Sequence, residues 1–197
     1  MKSKILNLYA GIGGNRANWG DDVAVTAVEF DPKIAETYKK RFPEDEVIVG
    51  DALQYLLDNY LEYDFIWASP PCQSHSRIID SQYTRESYKA KLPDMSLYSI
   101  ILFLQGHGRR SKWVVENVTP YYTPLIEPTV IIDRHYYWSN FNIEKIEVAK
   151  EYIIKYVTIK DAPCDMGNIS DKRQAIRNQV NPIIGEHILK EAFNEKK

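Results

Sequence analysis

The stretch Asp64-Phe65-Ile66-Trp67-Ala68-Ser69-Pro70-Pro71-Cys72-Gln73 decides how the chain is read. Four consecutive apolar residues, Phe65 to Ala68, stand between Asp64 and Ser69-Pro70-Pro71. A short apolar run with such sharp bounds fits a strand of a parallel sheet covered on both faces. The two prolines forbid its continuation. Open parallel sheets bind ligands at the carboxyl ends of their strands, so Cys72 stands where chemistry is usually done. On these residues alone two readings stay open, a reactive thiol at a rim and a thiol buried in a core, the second being the commoner state of a free cysteine.

Toward the amino terminus, Lys4-Ile5-Leu6-Asn7-Leu8-Tyr9 reads as a strand and Ala10-Gly11-Ile12-Gly13-Gly14 as a glycine turn, with a helix expected in the residues after it. Strand, glycine turn and helix form a nucleotide-binding beginning, because glycine lets the backbone approach a ligand and helix amides favour an anionic group. Val23-Ala24-Val25-Thr26-Ala27-Val28-Glu29-Phe30-Asp31 is a second strand closing on an acid. Glu29 is placed either to accept from ribose hydroxyls or to be a solvated strand end or helix cap. Pro32 opens a helix to about Arg41, and Glu46 to Gly50 is a third strand ending at Asp51. A further helix near Leu53 to Tyr60 leads into the central strand.

Beyond Cys72, Ser74 to Leu92 is polar, lacks a sustained apolar period and reads as a long loop over the mouth of a site. Pro93 to Gly106 carries Leu97, Ile100, Ile101 and Leu104 at helical spacing. Lys112 to Val118 is a fifth strand, apolar until Glu116, and a carboxylate at the end of a buried strand needs a reason. Thr129 to Phe141 supplies the last sheet material, its aromatic run Tyr136-Tyr137-Trp138 reading as core. Residues 142–171 show no clear organisation, and Ile176 to Phe193 reads as a closing helix entered through Asn181-Pro182.

At 197 residues the chain is expected to be one domain, with an ordinary globular composition of 44% hydrophobic and 26% charged residues. No apolar run approaches a membrane span, and Met1-Lys2-Ser3-Lys4 leads directly into a strand pattern, so a cytoplasmic protein without membrane attachment is expected. Cys72 and Cys164 lack metal-ligand spacing and read as reduced thiols, and His75, His107, His135 and His187 form no metal pair, so no metal is expected. A net charge of -2 excludes a uniformly basic surface but leaves room for a local groove.

Taken in order, these motifs resemble the cytosine-5 DNA methyltransferases. Leu8-Tyr9-Ala10-Gly11-Ile12-Gly13-Gly14 is similar to that family's cofactor loop, with Tyr9 where phenylalanine is usual. Glu29 resembles its ribose-binding acid and Asp51 the residue that reads the adenine amine of S-adenosylmethionine. Pro71-Cys72-Gln73 looks like the nucleophile motif, Glu116-Asn117-Val118 like the motif whose Glu holds the target base, and Arg177 to Pro182 like the last motif, which returns beside the cofactor loop. The family's arginine motif has two arginines, and here only Arg134 precedes Tyr136-Tyr137-Trp138-Ser139-Asn140, so Arg134 or else His135 is the partner of cysteine and base, with Arg134 preferred.

The resemblance implies a Rossmann-like class I methyltransferase fold with a mostly parallel, seven-stranded sheet and helices on both faces. It implies S-adenosyl-L-methionine as cofactor, S-adenosyl-L-homocysteine as product, and duplex DNA with a flipped cytosine as partner. Cys72, Glu116 and Arg134 are then catalytic, and Tyr9, Ala10, Gly11, Gly13, Gly14, Glu29, Asp51, Pro70, Asn178 and Val180 line the cofactor. Gln73, Ser76, Arg77, Arg85 and Lys89 are candidates to touch nucleic acid. Residues 142–171 stand where the family places its target-recognition region, which points to a short or relaxed target, to a protein partner that supplies recognition, or to a phage enzyme. The alternatives are an accessory subunit, an RNA methyltransferase, and a thiol–histidine hydrolase using His75.

Overall fold

The computed structural model describes residues 2–77, 92–148, 162 and 164–194. Arg85 and Lys89, like most of the expected loop over the site, lie outside the described residues.

Seven strands form one sheet: β1 Ser3–Leu8, β2 Val23–Glu29, β3 Glu46–Val49, β4 Phe65–Ala68, β5 Lys112–Val118, β6 Val130–Ile132 and β7 His135–Ser139. Their order is β3-β2-β1-β4-β5-β7-β6. The first five strands are parallel, and β7 runs antiparallel to both β5 and β6. The chain moves from β1 outward through β2 and β3, then returns to lay β4 on the other side of β1. That reversal opens a crevice above the carboxyl ends of β1 and β4, the place where open α/β sheets bind ligands. The glycine turn follows β1 and Cys72 follows β4, so both reach this crevice.

Strand alternation sorts the core into two layers. Leu6, Leu8, Ile66, Ala68, Trp113 and Val115 are buried on one face beneath α2 (Ala52–Asn59) and α3 (Ser96–His107). Ile5, Phe65, Trp67, Val114 and Tyr137 are buried on the other. There they meet the last helix, Pro182–Phe193, through Ile184, Ile188 and Leu189. Helix α1 (Pro32–Arg41) lies on this second face, its Tyr38 packed with Ala10 and Ala27. The continuous apolar run of β4 follows from burial on both sides: all four residues are fully inside.

Helix starts follow the local chemistry. Asp31 caps α1 by accepting from the amides of Lys33 and Ile34, with Pro32 in the first turn. Asp51 caps α2 in the same way, and Asn181 with Pro182 starts the last helix. The expected closing helix is two: α4 Lys172–Arg177 and α5 Pro182–Phe193, because Pro182 needs an extended residue before it and Asn181 provides that at ψ 127°. The helix expected after the glycine turn is a single 3₁₀ turn, Asn15–Asn18, ended near Gly20 at φ +75°. The described residues within 142–171 are more organised than their composition implies, since Ile143 is buried against the second layer and Met166 and Ile169 pack with Ile12 and Ile176.

Gly185 on α5 abuts the 3₁₀ turn so closely that an added Cβ would lie 2.3 Å from the carbonyl oxygen of Asn15. Gly185→Ala is therefore expected to lower stability in urea by about 1–3 kcal/mol, because backbone must move to admit the methyl group. Gly106, within α3, has open space around its Cα. Gly106→Ala is expected to raise stability by about 0.5–1 kcal/mol in the same experiment.

Candidate active site

The turn after β1 is bent by three residues in the left-handed region, Tyr9 at φ 56°, Gly11 at 55° and Gly13 at 77°. An added Cβ on Gly13 would lie 2.3 Å from the ring of Phe42, so glycine is required by both conformation and space. Glu29, at the end of β2, fastens the turn: its Oε2 accepts from the amide of Gly11 at 2.9 Å and its Oε1 from that of Asp31 at 3.0 Å. Behind the turn, the buried Arg16 makes a two-pronged pair with Asp45 at 2.9 and 3.1 Å, and Tyr38 donates to the same carboxylate at 2.8 Å. Gly14 packs against Gln179 and Val180, with no room for a side chain. The segment after α4 thus returns beside the glycine turn, while Asn178 next to it caps α4 and is exposed.

Phe30, immediately after Glu29, is a large aromatic residue 77% exposed at a strand end. With Asp31, Pro32, Lys33 and Ser170 it lines a shallow cleft. The sequence offered the signal, an aromatic directly after the strand's acid, but it reads there as one more apolar strand residue. Asp51 sits at the end of the neighbouring β3 with one carboxylate oxygen engaged in capping α2. It also faces Tyr9, whose phenol is pushed up to about 12 by burial and by the charges of Asp51 and Asp94.

The segment after β4 is held from the strand beside it. Asn117 on β5 donates to the carbonyl of buried Pro70 at 2.9 Å and accepts from the amide of Val118 at 3.0 Å. The turn then closes on itself, the amides of His75 and Ser76 donating to the carbonyl of Cys72 at 3.0 and 3.1 Å. Ser76 forms a β-bridge with Pro120, and Arg77 Nε donates to the Pro120 carbonyl at 3.2 Å. Gln73 and Arg77 are exposed. His75 does not serve the thiol: its fully buried ring is engaged by the Tyr122 hydroxyl and the Asp94 carbonyl. That arrangement removes the geometry a thiol–histidine pair requires.

Cys72 is half-buried beside Glu116. Burial and the Glu116 charge push the thiol up to about 11. No cation offsets this rise, because the charged side chain that acts on the thiol is an acid. Glu116 is itself raised by burial, against which His135 and a hydrogen bond from Ser69 pull it down. Ser69 is oriented by Trp67, whose Nε1 donates to Ser69 Oγ at 2.8 Å.

The structure also decides between the two residues of the hairpin. Arg134 lies in the β6–β7 turn with its side chain 74% exposed and its Nε 3.8 Å from Asp133. His135 Nε2 lies 3.6 Å from Glu116 Oε1. The preference for Arg134 as partner of the acid is thus corrected to His135. Glu116 pairs directly with Tyr137 across β5 and β7, and residues two apart on a strand share a face, so His135 falls on the Glu116 side.

A crevice at the strand reversal, a glycine turn fastened by a strand-end acid and an exposed aromatic beside that acid together define a Rossmann-like class I methyltransferase fold. The chain matches the family model of the C-5 cytosine-specific DNA methylases over residues 3–92. It is 37% identical over 87 residues to the type II methyltransferase M.AquIA of Picosynechococcus sp., a match covering 39% of this chain and 35% of that one. It is 36% identical over 84 residues to a tRNA (cytosine(38)-C(5))-methyltransferase of Spodoptera frugiperda, covering 39% of this chain and 25% of that one. The chain thus spans about a third and a quarter of these two curated relatives. Among solved structures, a DNMT2 variant from Spodoptera frugiperda aligns at 28% identity with a TM-score of 0.42, over 59% of this chain and 36% of that one.

The cofactor that goes with this family and fold is S-adenosyl-L-methionine, and the residues present fit it. Phe30 offers a free aromatic face for adenine, Glu29 keeps lone pairs for ribose hydroxyls, and the Cα of Gly11 meets open space where a ligand can approach backbone.

Because the Glu116 charge is one of the causes that raise Cys72, Glu116→Gln is expected to lower the Cys72 midpoint by about one pH unit, burial keeping it above that of a free thiol. The rate of iodoacetamide alkylation at Cys72 against pH, followed by peptide mass spectrometry, reads this directly, and an unmoved midpoint would show that the two groups are not coupled.

Proposed function

We propose that the protein transfers the methyl group of S-adenosylmethionine to carbon 5 of a cytosine in DNA. The observation that carries this reading is the convergence of Cys72 and Glu116 at the ends of adjacent parallel strands, beside the glycine turn of β1. S-adenosylmethionine supplies an electrophilic methyl on a sulfonium. Cytosine carbon 5 is a weak nucleophile and has to be activated from the ring.

Cys72 activates it by adding to carbon 6. The sulfur lone pair forms the S–C6 bond, the C5=C6 electrons shift to C4=C5, and the C4=N3 electrons take up a proton at N3. Glu116 donates that proton and accepts from the exocyclic amine. Its elevated affinity for a proton, caused by burial, suits that role. The two groups favour complementary states: with Glu116 protonated, one cause of the high Cys72 pKa disappears, so the thiolate forms more readily. After methylation N3 returns its proton to Glu116, water takes the C5 proton as its bonding electrons re-form C5=C6, and Cys72 leaves with the pair of the S–C6 bond. Cysteine serves because it is both a strong nucleophile and a competent leaving group.

Glu29, Phe30, the 9–14 turn, Asp51, Pro70 and Val180 form the cofactor side in this reading. Asn178, exposed at the end of α4, stands at its margin. A base in a duplex is inaccessible and must be flipped out. Gln73, Ser76 and Arg77 border Cys72 and face the strand that is opened, and Arg85 and Lys89 would extend that contact. Only residues 140–171 separate β7 from α4, so a protein partner is the source of sequence recognition in this reading, and the enzyme works in the cytoplasm as a modification methyltransferase. The described helices include none long and apolar enough to cross a membrane. RNA is the second reading, favoured by the similarity to a tRNA cytosine methyltransferase.

Labelled methyl transfer to duplex DNA, single-stranded DNA and RNA distinguishes these. The expected result is label on cytosine in duplex DNA, abolished by Cys72→Ala with cofactor binding by calorimetry unchanged. Label on RNA alone would overturn the DNA assignment, and turnover by Cys72→Ala would overturn the mechanism.

A further inference from the structure

The acid at the centre of the site is accompanied by an imidazole. His135 Nε2 stands 3.6 Å from Glu116 Oε1, with the His135 side chain 20% and that of Glu116 8% exposed. The nearest guanidinium in the hairpin, that of Arg134, is turned out to Asp133 and leaves the position to His135. A guanidinium holds its charge at every pH an enzyme meets, whereas an imidazole changes charge within the physiological range.

We propose that His135 is a positioning residue whose titratable charge sets the protonation of Glu116, and through it the charge facing Cys72, so that catalysis is proton-gated. The proposal rests on the methyltransfer reading above and deepens it. Glu116 and His135 act as a pair that holds two protons, one or none. With one proton the pair is neutral overall, and it can lend that proton to a bound base. With none, an uncompensated carboxylate faces Cys72 in a buried setting, which opposes the thiolate and leaves nothing to donate. Turnover therefore falls on the alkaline side as the pair loses its last proton. A fixed cation in the same place would keep the pair neutral even with Glu116 ionised.

Among the described residues, the charged and titratable groups around His135 are few. Glu116 comes from β5, Asp133 and Arg134 from the turn before it, Tyr137 from its own strand, and Cys72 from the segment after β4. Asp133 is engaged by Arg134, and the buried Tyr137 hydroxyl is held far above its ordinary value by burial, Glu116 and Asp133, so it stays neutral. Of the ionisable side chains beside the acid among the described residues, His135 alone is an imidazole, the type of side chain whose charge changes within the physiological range.

The test compares wild type, His135→Gln and His135→Arg, with His135→Lys as a smaller cation should the guanidinium prevent folding, as judged by circular dichroism. Two readouts are taken, Cys72 alkylation by iodoacetamide against pH and methyl transfer to duplex DNA at pH 7 and pH 9. The cationic variants are expected to lower the Cys72 midpoint by about one pH unit relative to wild type, because the carboxylate remains compensated at alkaline pH. His135→Gln is expected to leave that midpoint at the wild-type value, since at that pH neither side chain is charged. The ratio of the transfer rate at pH 9 to that at pH 7 rises in the cationic variants. A Cys72 midpoint equal to wild type in the cationic variants overturns the proposal. Alkylation needs no substrate, so absence of transfer by wild type counts against the methyltransfer reading alone.

Discussion

Cys72 and Glu116 each make the other's ionisation costly. The acid lies at the end of β5 and the thiol follows the end of β4, two strands in parallel register from Phe65 and Lys112 to Ala68 and Val115. Burial raises both groups, and the carboxylate charge raises the thiol further. A thiolate and a carboxylate side by side in a dry setting are unfavourable, while a thiolate beside a neutral carboxyl is not. In the proposed reaction, the proton that Cys72 loses and the proton that the base receives are therefore coupled by electrostatics before any substrate arrives.

That coupling depends on a rigid floor. All of Phe65 to Ala68 is buried on both faces, which fixes where the chain emerges. Asn117 then pins the carbonyl of Pro70, and the amides of His75 and Ser76 close the turn over Cys72. Trp67 orients Ser69, and Ser69 holds Glu116. The glycine turn is set with comparable care by Glu29 in front and by the buried Arg16–Asp45–Tyr38 cluster behind. Loss of a partner in that cluster leaves a buried charge uncompensated, which is costly.

Much of this was legible in the sequence because burial and turn chemistry leave local marks. The apolar run closed by two prolines located β4, the glycine cluster located the crevice, and Glu116 betrayed itself as a carboxylate after an apolar strand. What was not legible depended on registers that sequence does not encode locally. The side chain beside Glu116 is set by the hairpin at Asp133, a non-glycine residue at φ 54°, which throws Arg134 outward. A one-residue shift would exchange the faces and bring a different side chain inward. The high pKa of Cys72 was likewise hidden, because it arises from burial in the fold and from an acid 44 positions away in the chain, and not from a neighbouring motif. Phe30 was not legible as a site residue, since exposure of an apolar residue is a property of the fold.

The central claim is that Cys72 forms a covalent bond to carbon 6 of a cytosine, and a substrate whose turnover stops after that step tests it most directly. Fluorine at carbon 5 cannot leave as a proton does, so the adduct should persist. Duplex DNA bearing 5-fluorocytosine is incubated with the protein and S-adenosylmethionine, and the denatured product is mapped by peptide mass spectrometry. The account predicts a nucleotide adduct on the peptide containing Cys72 that is absent in Cys72→Ala. DNA that carries the transferred methyl group, with Cys72 unmodified throughout, would contradict it.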